Sequence, residues 1–301
     1  MEFGNHAWGS KPEVVSAHVV GCVQKTDRDP VQATSSAESG WMGKAGRRRT
    51  KMHVLNLIGR HGRWNRKEGD EGVTHRVELG MDLSVYRHLI WDWNGTLLDD
   101  AWLCRDIMNG QLRRRGLPTL SAERYEAIFD FPVEGYYRKV GFDWKKESFE
   151  EAGTEFIVEY EKRKTECRMQ IGAKELLKRV ESAGLSQAVL SAYSHGSLES
   201  FLGHFGVRSH FKSVAGSRNH YAEGKVEHGL RMLQELHVSP SETLLIGDTT
   251  HDAEVARALG VECVLSPCGH NSRDRLDRCR INVVNGLGEL RLGVEGRKTS
   301  P

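Results

Sequence analysis

Asp92 stands where a carboxylate can act as a nucleophile. It directly follows a short apolar segment, and Asn94, Gly95 and Thr96 come shortly after it. A tight turn at this point leaves backbone N–H groups that can cradle a phosphate, and the carboxylate can attack phosphorus to form an aspartyl-phosphate. The alternative is an ordinary turn that ends a strand and carries a solvated Asp.

Ser191, Ala192 and Lys225 are candidate phosphate contacts. Ser191 and Ala192 follow a predicted strand at 187–190, where a hydroxyl can bind a phosphoryl oxygen, although Ser at a strand end is commonly a turn or cap residue. Lys225 stands at a predicted helix start, where a cation is disfavoured by the helix dipole. It can neutralise phosphate charge, or it can be a solvated surface residue.

Asp248 and Asp252 form the most distinctive pair of carboxylates. They lie four residues apart in the segment GDTTHD, directly after an apolar strand predicted at 243–246. Carboxylate oxygens are hard ligands of the kind that Mg²⁺ prefers. Both residues are therefore candidate metal ligands, although Asp252 also fits as an acidic residue in the first turn of a helix.

The candidate residues fall at the ends of strands that alternate with helices. Strands are predicted at 87–91, 187–190, 211–214, 243–246, 263–265 and 281–284, with helices at 173–183, 197–205, 225–236 and 252–259. This alternation predicts a parallel sheet with helices on both faces. Open α/β sheets bind ligands at the carboxyl ends of their strands, so we expect the candidates to meet at one edge.

The stretch between the first two predicted strands is helical. Four helices are predicted, at about 100–115, 121–131, 132–140 and 148–166, and Asp99 and Asp100 bring favourable negative charge to the start of the first. The fold class is therefore α/β, with a Rossmann-like parallel sheet and an inserted all-helical domain. The core is predicted at 84–99 and 168–293, and the helical insert at 100–167.

The remaining segments lack sustained apolar periodicity. Residues 1–80, rich in Gly, Ser and basic residues, predict a disordered extension, and 294–301 form a short tail. Met81 lies just before the first predicted strand and is a candidate start of translation.

Composition excludes several classes of protein. A formal net charge of +2 over 301 residues gives no argument for a nucleic-acid or membrane partner. No apolar run approaches the roughly 18 residues of a membrane span, and the N-terminus lacks the order of a secretory signal. Six scattered cysteines without a Cys-x-x-Cys pair fit a reducing compartment. We therefore expect a cytoplasmic protein.

The order of the motifs resembles the haloacid dehalogenase-like hydrolase superfamily. The match runs over about residues 86–292 as Asp-x-Asn-Gly-Thr, then Ser, then Lys, then Gly-Asp-x-x-x-Asp, and is nearest to the phosphoglycolate phosphatase-type branch. That branch also carries a helical insert, called a cap, between the first two motifs. The resemblance implies hydrolysis of a small-molecule phosphate monoester by a monomer or homodimer, with phosphoglycolate as the first candidate substrate.

The resemblance also implies roles for single residues. Asp92 would attack phosphorus, and Asp92, Asp248 and the backbone carbonyl of Asn94 would hold Mg²⁺. Asp252 would support the metal through its water shell or through hydrogen bonds. The remaining candidates would bind the substrate: Ser191, Ala192, Lys225, Gly95 and Thr96. Lys225 would also reduce repulsion between Asp92 and the incoming phosphate.

Asn94 departs from the family pattern, which has Asp at this position. That Asp transfers protons to the leaving group and from water, and an amide cannot do either. Three interpretations stay open: a phosphatase with another base, a slow phosphatase, or a weak or inactive phosphate-binding module. His251 and Asp99 are candidates for the missing proton transfer, and His251 can equally be an exposed turn residue.

Substrate choice is expected to come from the helical insert, where Tyr136, Tyr137, Arg138 and Lys139 can face the active site. Arg138 can bind a substrate carboxylate through two hydrogen bonds, or lie on the surface. Two rival reactions on this fold are weaker hypotheses. Dehalogenation needs no metal, and cleavage of a C–P bond uses an insert lysine that no residue marks here.

Overall fold

The protein is seen in a computed structural model that describes residues 80–217 and 224–293. The predicted extension, apart from Gly80, and the whole of the predicted tail lie outside these residues, so the structure does not bear on them. Within the two described ranges, no helix combines the length and apolar character that a membrane crossing needs.

A six-stranded parallel sheet forms the centre of the fold. The strands of the described ranges are β1 (Met81–Asp82), β2 (His88–Trp91), β3 (Leu98–Asp99), β4 (Arg168–Met169), β5 (Ser186–Ser194), β6 (Ser213–Ser217), β7 (Thr243–Gly247), β8 (Glu262–Leu265), β9 (Asn282–Val283) and β10 (Leu290–Arg291). The sheet has the order β6-β5-β2-β7-β8-β9, and every pair in it is parallel. This confirms the predicted fold class.

Helices cover both faces of this sheet. The α-helices of the described ranges are α1 (Ala101–Arg114), α2 (Ala122–Ile128), α3 (Val133–Lys139), α4 (Phe149–Arg163), α5 (Ala173–Ser182), α6 (His195–Phe205), α7 (Lys225–Leu236), α8 (Thr250–Leu259) and α9 (Arg273–Asp277). Along β2, Leu89 and Trp91 join one apolar cluster and Ile90 joins another. The first cluster includes side chains of α5 and α6, and the second includes side chains of α7 and α8. The two-residue period of a strand thus supplies apolar side chains to both faces.

Helices α1 to α4, which we call the helical cap, lie between β3 and β4 in the chain. They share an apolar cluster rich in aromatic residues, with Tyr125, Tyr136 and Tyr137 among its buried members. Antiparallel pairing of β3 with β4 holds the two ends of this insert together. The boundaries of the helical domain at 100 and 167 stay a prediction.

The structure differs from the prediction in the length of one strand at the site. Strand β5 continues to Ser194 instead of ending at Leu190, with a shift of register between these residues. Ser191 and Ala192 therefore lie within the strand rather than after it. The short elements β1, β10 and α9 were not predicted, because two to five residues carry too little periodicity to be recognised.

Candidate active site

Asp92 lies at the carboxyl end of β2. Its backbone N–H donates to the carbonyl oxygen of Ile246 at 2.9 Å, which extends the pairing of β2 with β7 by one residue. The chain then turns through Gly95, whose φ is +77°. A Cβ at Gly95 would lie 2.3 Å from Oδ2 of Asp248. Only glycine therefore lets this loop approach the second carboxylate so closely.

Three carboxylates meet at this edge of the sheet. Asp92, Asp248 and Asp252 each offer an oxygen, and these atoms lie within 4.8 Å of one another. All three residues are buried. They converge because β2 and β7 are neighbours with Trp91 opposite Ile246, which puts the residues after each strand side by side. The structure thus brings together carboxylates that are far apart in the chain.

Lys225 bridges two of the carboxylates. It is the first residue of α7 and is 8% exposed. Its Nζ donates to Oδ1 of Asp92 and to Oδ1 of Asp252, both at 2.6 Å. A buried ammonium group held between two carboxylates keeps a fixed position, so Lys225 can meet a phosphoryl group that approaches Asp92.

Asp252 uses both of its oxygens within the protein. Oδ1 accepts from Lys225, while Oδ2 accepts from the backbone N–H of Thr249 at 3.0 Å and from its hydroxyl at 2.7 Å. The bond from the Thr249 backbone N–H, with the return bond from the Asp252 N–H to the Thr249 hydroxyl, forms the capping box at the start of α8. The geometry therefore suits Asp252 to positioning Lys225, and direct contact of Asp252 with a metal stays a prediction.

The carboxylate cluster has a chemistry that fits a divalent cation. Burial, together with the negative charges of Asp252 and Asp248, raises the pKa of Asp92 above its usual range, although Lys225 opposes the shift. Burial also raises the pKa of Asp248. Three carboxylates share one ammonium group here, and hard oxygen donors of this kind are what Mg²⁺ prefers.

The other predicted substrate contacts divide into two groups. Ser191 and Ala192 line the same cavity as Asp92 and Lys225. Gly95 and Thr96 do not line it: the N–H of Gly95 donates to Leu98 and Asp100, and the hydroxyl of Thr96 donates to Asp248 at 2.6 Å. These polar groups already stabilise the loop and Asp248, and contact of Gly95 and Thr96 with substrate stays a prediction.

Asn94 is hydrogen bonded to a buried carboxylate that was not predicted as a site residue. Its Nδ2 donates to Oδ2 of Asp100 at 2.7 Å and to the hydroxyl of Tyr160 at 3.0 Å. Asp100 also accepts from the N–H of Gly95 at 2.9 Å and from Tyr160 at 2.7 Å. Burial opposes ionisation of Asp100, but its hydrogen bonds, above all from His270, hold its pKa below the usual range. A charged Asp100 thus sits beside the position that departs from the family pattern.

His270 completes this second cluster. Its Nε2 lies 3.4 Å from Oδ1 of Asp100, its Nδ1 is 2.7 Å from the hydroxyl of Tyr125, and its backbone N–H donates to Asp248. Burial lowers the pKa of His270, but Asp100 outweighs this effect and the pKa is raised to about 9. Asp100 was predicted only as favourable charge at a helix start. The structure shows that its side chain makes no cap hydrogen bond to α1 and turns to Asn94 instead.

The two residues predicted as substitutes for the missing proton-transfer group have different positions. His251 lines the cavity, with its ring 4.8 Å from the ring of Phe131. Asp99 is exposed and does not line it. The structure therefore leaves His251 near the nucleophile and places Asp99 outside the site.

A cavity of about 180 Å³ lies between the carboxylates and the helical cap. The sheet side contributes mainly polar groups, including Asp92, Asn94, Ser191 and Lys225. The cap side contributes mainly aromatic and aliphatic groups, including Phe129, Phe131, Tyr136, Tyr137, Phe156 and Ile157. One cavity thus has two chemically different walls.

Of the four cap residues that can face the active site, the two tyrosines line the cavity and the two basic residues do not. Tyr136 and Tyr137 line the cavity. Arg138 is exposed and pairs with Glu134 at 2.7 Å, one turn earlier on α3. Lys139 pairs with Asp130 at 3.2 Å. Arg138 therefore does not bind a substrate carboxylate in this arrangement.

Comparison with known proteins gives one family. A sequence model described as haloacid dehalogenase-like hydrolase matches residues 89–266. Over 213 residues the chain is 29% identical to the tyrosine-protein kinase PtkA of Mycobacterium tuberculosis, covering 68% of this chain and 72% of that protein. It is 25% identical over 197 residues to a phosphoglycolate phosphatase of Synechococcus elongatus, covering 62% and 87%.

A solved structure has the same fold. A haloacid dehalogenase-like hydrolase from Streptococcus pneumoniae superposes with a TM-score of 0.59 at 18% identity, covering 66% of this chain and 93% of that chain. At this identity the likeness concerns the fold alone. It agrees with the parallel sheet and helical insert described above.

Proposed function

The chain belongs to the haloacid dehalogenase-like hydrolase family, and we propose that, as a phosphatase of this family, it hydrolyses small-molecule phosphate monoesters with Mg²⁺ through an aspartyl-phosphate on Asp92. The observation that carries the proposal is the buried cluster of Asp92, Asp248 and Asp252 with Lys225, of which Asp92 and Lys225 line one cavity. Each of these residues alone is a weak indication of a phosphatase site, whereas their convergence is a strong one.

The proposed reaction has two displacements. An oxygen of Asp92 attacks phosphorus, the bond from phosphorus to the ester oxygen breaks, and that oxygen takes a proton from His251, the candidate for proton transfer that lines the cavity, so that the alcohol leaves. Water then attacks phosphorus and gives a proton back to His251, the bond to Asp92 breaks, and inorganic phosphate leaves. Oδ1 of Asp92 accepts from Lys225 at 2.6 Å, and Oδ2 lies 3.5 Å from the hydroxyl of Thr96.

Lys225 and Ser191 bind the phosphoryl group in this proposal. The ammonium group of Lys225 reduces the repulsion between the Asp92 carboxylate and the phosphate oxygens, and Asp252 fixes its position. Ser191 lies on β5, beside β2, and offers a hydroxyl to the same group. These contacts orient phosphorus toward Asp92.

Asp92, Asp248 and the backbone carbonyl of Asn94 are the residues that we propose as Mg²⁺ ligands. When bound, the ion supplies positive charge that stabilises the phosphoryl oxygens during transfer. Thr96 and the N–H of His270 hold the two oxygens of Asp248 at 2.6 Å and 2.7 Å. The chain thus preorders this carboxylate before any ligand arrives.

A second candidate function is a phosphate-binding module that is slow or inactive. It is favoured by one observation, which is that Asn94 holds an amide where proton transfer is expected and that this amide is hydrogen bonded to Asp100. Measurable Mg²⁺-dependent turnover favours the phosphatase. Tight binding of phosphate esters without turnover favours the module.

The test is phosphate release from a panel of monoesters by the purified full chain, with 2-phosphoglycolate included because the phosphatase relative carries that name. We expect turnover in Mg²⁺, its loss with EDTA, and its loss in Asp92→Asn. Transfer of the phosphoryl group from each monoester to an added tyrosine peptide is measured in parallel, since the mycobacterial relative is named a tyrosine-protein kinase. Undiminished phosphate release by Asp92→Asn would remove Asp92 from its proposed role.

A further inference from the structure

We propose that the cavity accepts phosphate monoesters whose leaving group carries an aromatic ring, an inference that rests on the proposed function of the same site. The phosphoryl group is assigned to the sheet side, where Asp92 and Lys225 lie. The leaving group then faces the helical cap. Its chemistry can therefore be inferred from the cap side of the cavity.

The cap wall is built of aromatic rings that contact one another at steep angles. The rings of Phe129 and Tyr136 have centroids 5.3 Å apart at 67°, and those of Phe129 and Phe131 are 5.6 Å apart at 80°. Rings prefer edge-to-face or offset contacts at such separations. A wall of this kind offers both ring faces and ring edges, so a further ring bound against it would make the same contacts.

The volume of the cavity agrees with a ligand of this size. It measures about 180 Å³. An apolar protein cavity of about 150 Å³ is large enough to bind benzene. A six-membered ring therefore fits between the cap and the carboxylates, whereas a two-carbon leaving group would leave much of the apolar wall without a contact.

Charge argues against a short acidic leaving group such as that of 2-phosphoglycolate. Among the described residues that line the cavity, the basic side chains are Lys225, His270 and His251, and each already contacts a carboxylate. A substrate carboxylate would lose its hydration on entering the cavity without gaining an unpaired cation. An uncharged ring carries no such cost.

Tyr136 supplies a separate observation that points to a ligand. Its side chain lines the cavity and is 2% exposed, yet its hydroxyl has no hydrogen-bond partner within residues 80–217 and 224–293. A buried hydroxyl without a partner is unfavourable. We infer that a polar substituent on the ring of the substrate pairs with this hydroxyl.

The test measures binding rather than turnover, with two phosphonates that cannot be hydrolysed. Calorimetric Kd values for benzylphosphonate and ethylphosphonate are compared on the full chain in Mg²⁺. Both carry the same charge, and they differ in a phenyl ring against a methyl group. We expect benzylphosphonate to bind about tenfold more tightly or better, because the ring buries apolar surface. Equal Kd values would overturn the inference.

Two variants assign this preference to the cap wall. Phe129→Leu should reduce the ratio of the two Kd values by about threefold or more, because the ring contacts are lost. Phe149→Leu is the matched control, since Phe149 belongs to the same cap cluster but does not line the cavity. An equal reduction in both variants would overturn the assignment.

Tyr136→Phe tests the unpaired hydroxyl. It should abolish any tighter binding of 4-hydroxybenzylphosphonate than of benzylphosphonate, and an unchanged difference between the two Kd values would remove Tyr136 from its role.

Benzyl phosphate and ethyl phosphate separate this inference from the proposed function. Both release primary alcohols. If neither is hydrolysed and benzylphosphonate still binds more tightly, the phosphatase proposal fails and the aromatic preference stands. If both esters are hydrolysed at equal kcat/KM and both phosphonates bind equally, the preference fails and the phosphatase proposal stands.

Discussion

The two walls of the cavity differ in how their side chains are held. On the sheet side, charged groups fix one another, as when Lys225 donates to Asp92 and Asp252 at 2.6 Å. On the cap side, the hydroxyls of Tyr125 and Tyr160 bond to the charged groups of the second cluster. The rings of Phe129 and Phe131 pack by contact alone, and the hydroxyl of Tyr136 has no hydrogen-bond partner among the described residues. Hydrogen-bonded charges specify a geometry, whereas apolar packing tolerates changes of similar volume. This contrast indicates that the sheet side sets the reaction and the cap side sets the leaving group.

Lys225→Met should give the largest effect, because it removes the cation shared by two carboxylates on the sheet side. We expect kcat/KM for the best ester of the panel to fall about 10²-fold or more, as phosphoryl charge loses its partner. The measurement is steady-state phosphate release. Lys178→Met, at an exposed position on α5, is the matched control and should stay within about twofold of the parent. A loss of similar size in both variants would contradict the role of Lys225.

Exchanging Asn94 and Asp100 tests whether the amide of Asn94 stabilises the sheet side through its contact with Asp100 or only lowers activity. Asn94→Asp alone puts a half-buried carboxylate 2.7 Å from the buried carboxylate of Asp100 at the present contact, so we expect about 2 kcal/mol lower free energy of unfolding and no gain of activity. The double variant Asn94→Asp with Asp100→Asn restores one amide and one carboxylate. Urea unfolding of the parent, both single variants and the double variant measures the coupling.

Two results of this exchange would contradict the expectation. Free-energy changes that add without coupling would show that the contact between the two side chains is unimportant. A large gain of phosphate release in Asn94→Asp alone would show that the amide lowers activity. The chain would then be a phosphatase that has lost its proton-transfer residue.

Ile157→Ala probes the cap side and should change binding only. Removing an apolar group from the wall lowers substrate and transition-state binding alike, so we expect KM to rise about threefold to tenfold with kcat within about twofold of the parent. Val158→Ala is a matched control, because Val158 is the next residue of α4 and is 43% exposed. A fall in kcat as large as the rise in KM would contradict the claim that the cap wall affects binding only.

His88 lies at the start of β2 and should affect stability alone. It is fully buried, both ring nitrogens have no hydrogen-bond partner in the described ranges, and burial lowers its pKa to about 4. Between pH 6.5 and 4 the unfolded chain binds more protons at this residue than the folded chain, so stability falls as pH falls through that window. His88→Leu should remove about 2 kcal/mol of the loss between pH 7 and pH 5.

Urea unfolding at the two pH values measures the effect of His88. The activity of His88→Leu at pH 7 should match that of the parent, since the residue contacts neither wall. An unchanged pH dependence of unfolding in the variant would show that His88 does not titrate as its burial requires.

The sheet side was predictable because local pattern and chain order carry its information. Asp92 and Asp248 each follow an apolar strand, and Lys225 begins a helix, so parallel strand order alone brings them together. The fold class followed from the same alternation. Only the strand bounds shifted, as with β5, which includes Ser191.

The second cluster was not predictable from pattern. Asp100 at a helix start has the same sequence signal as an ordinary cap residue, and its turn toward Asn94 depends on the loop through Gly95. His270 follows the strand β8, but nothing local in the sequence indicates a carboxylate partner 170 positions earlier. For Arg138 the sequence left two alternatives open, and the structure shows the surface position, where Glu134 one turn away pairs with it.

The central claim is that Asp92 carries the phosphoryl group, and the most direct test is to quench turnover with acid and map phosphorylation by peptide mass spectrometry. The parent should show a hydroxylamine-labile phosphoryl group on the peptide that contains Asp92, and Asp92→Asn should show none. A phosphoryl group on a different residue during turnover, together with undiminished phosphate release by Asp92→Asn, would contradict the account.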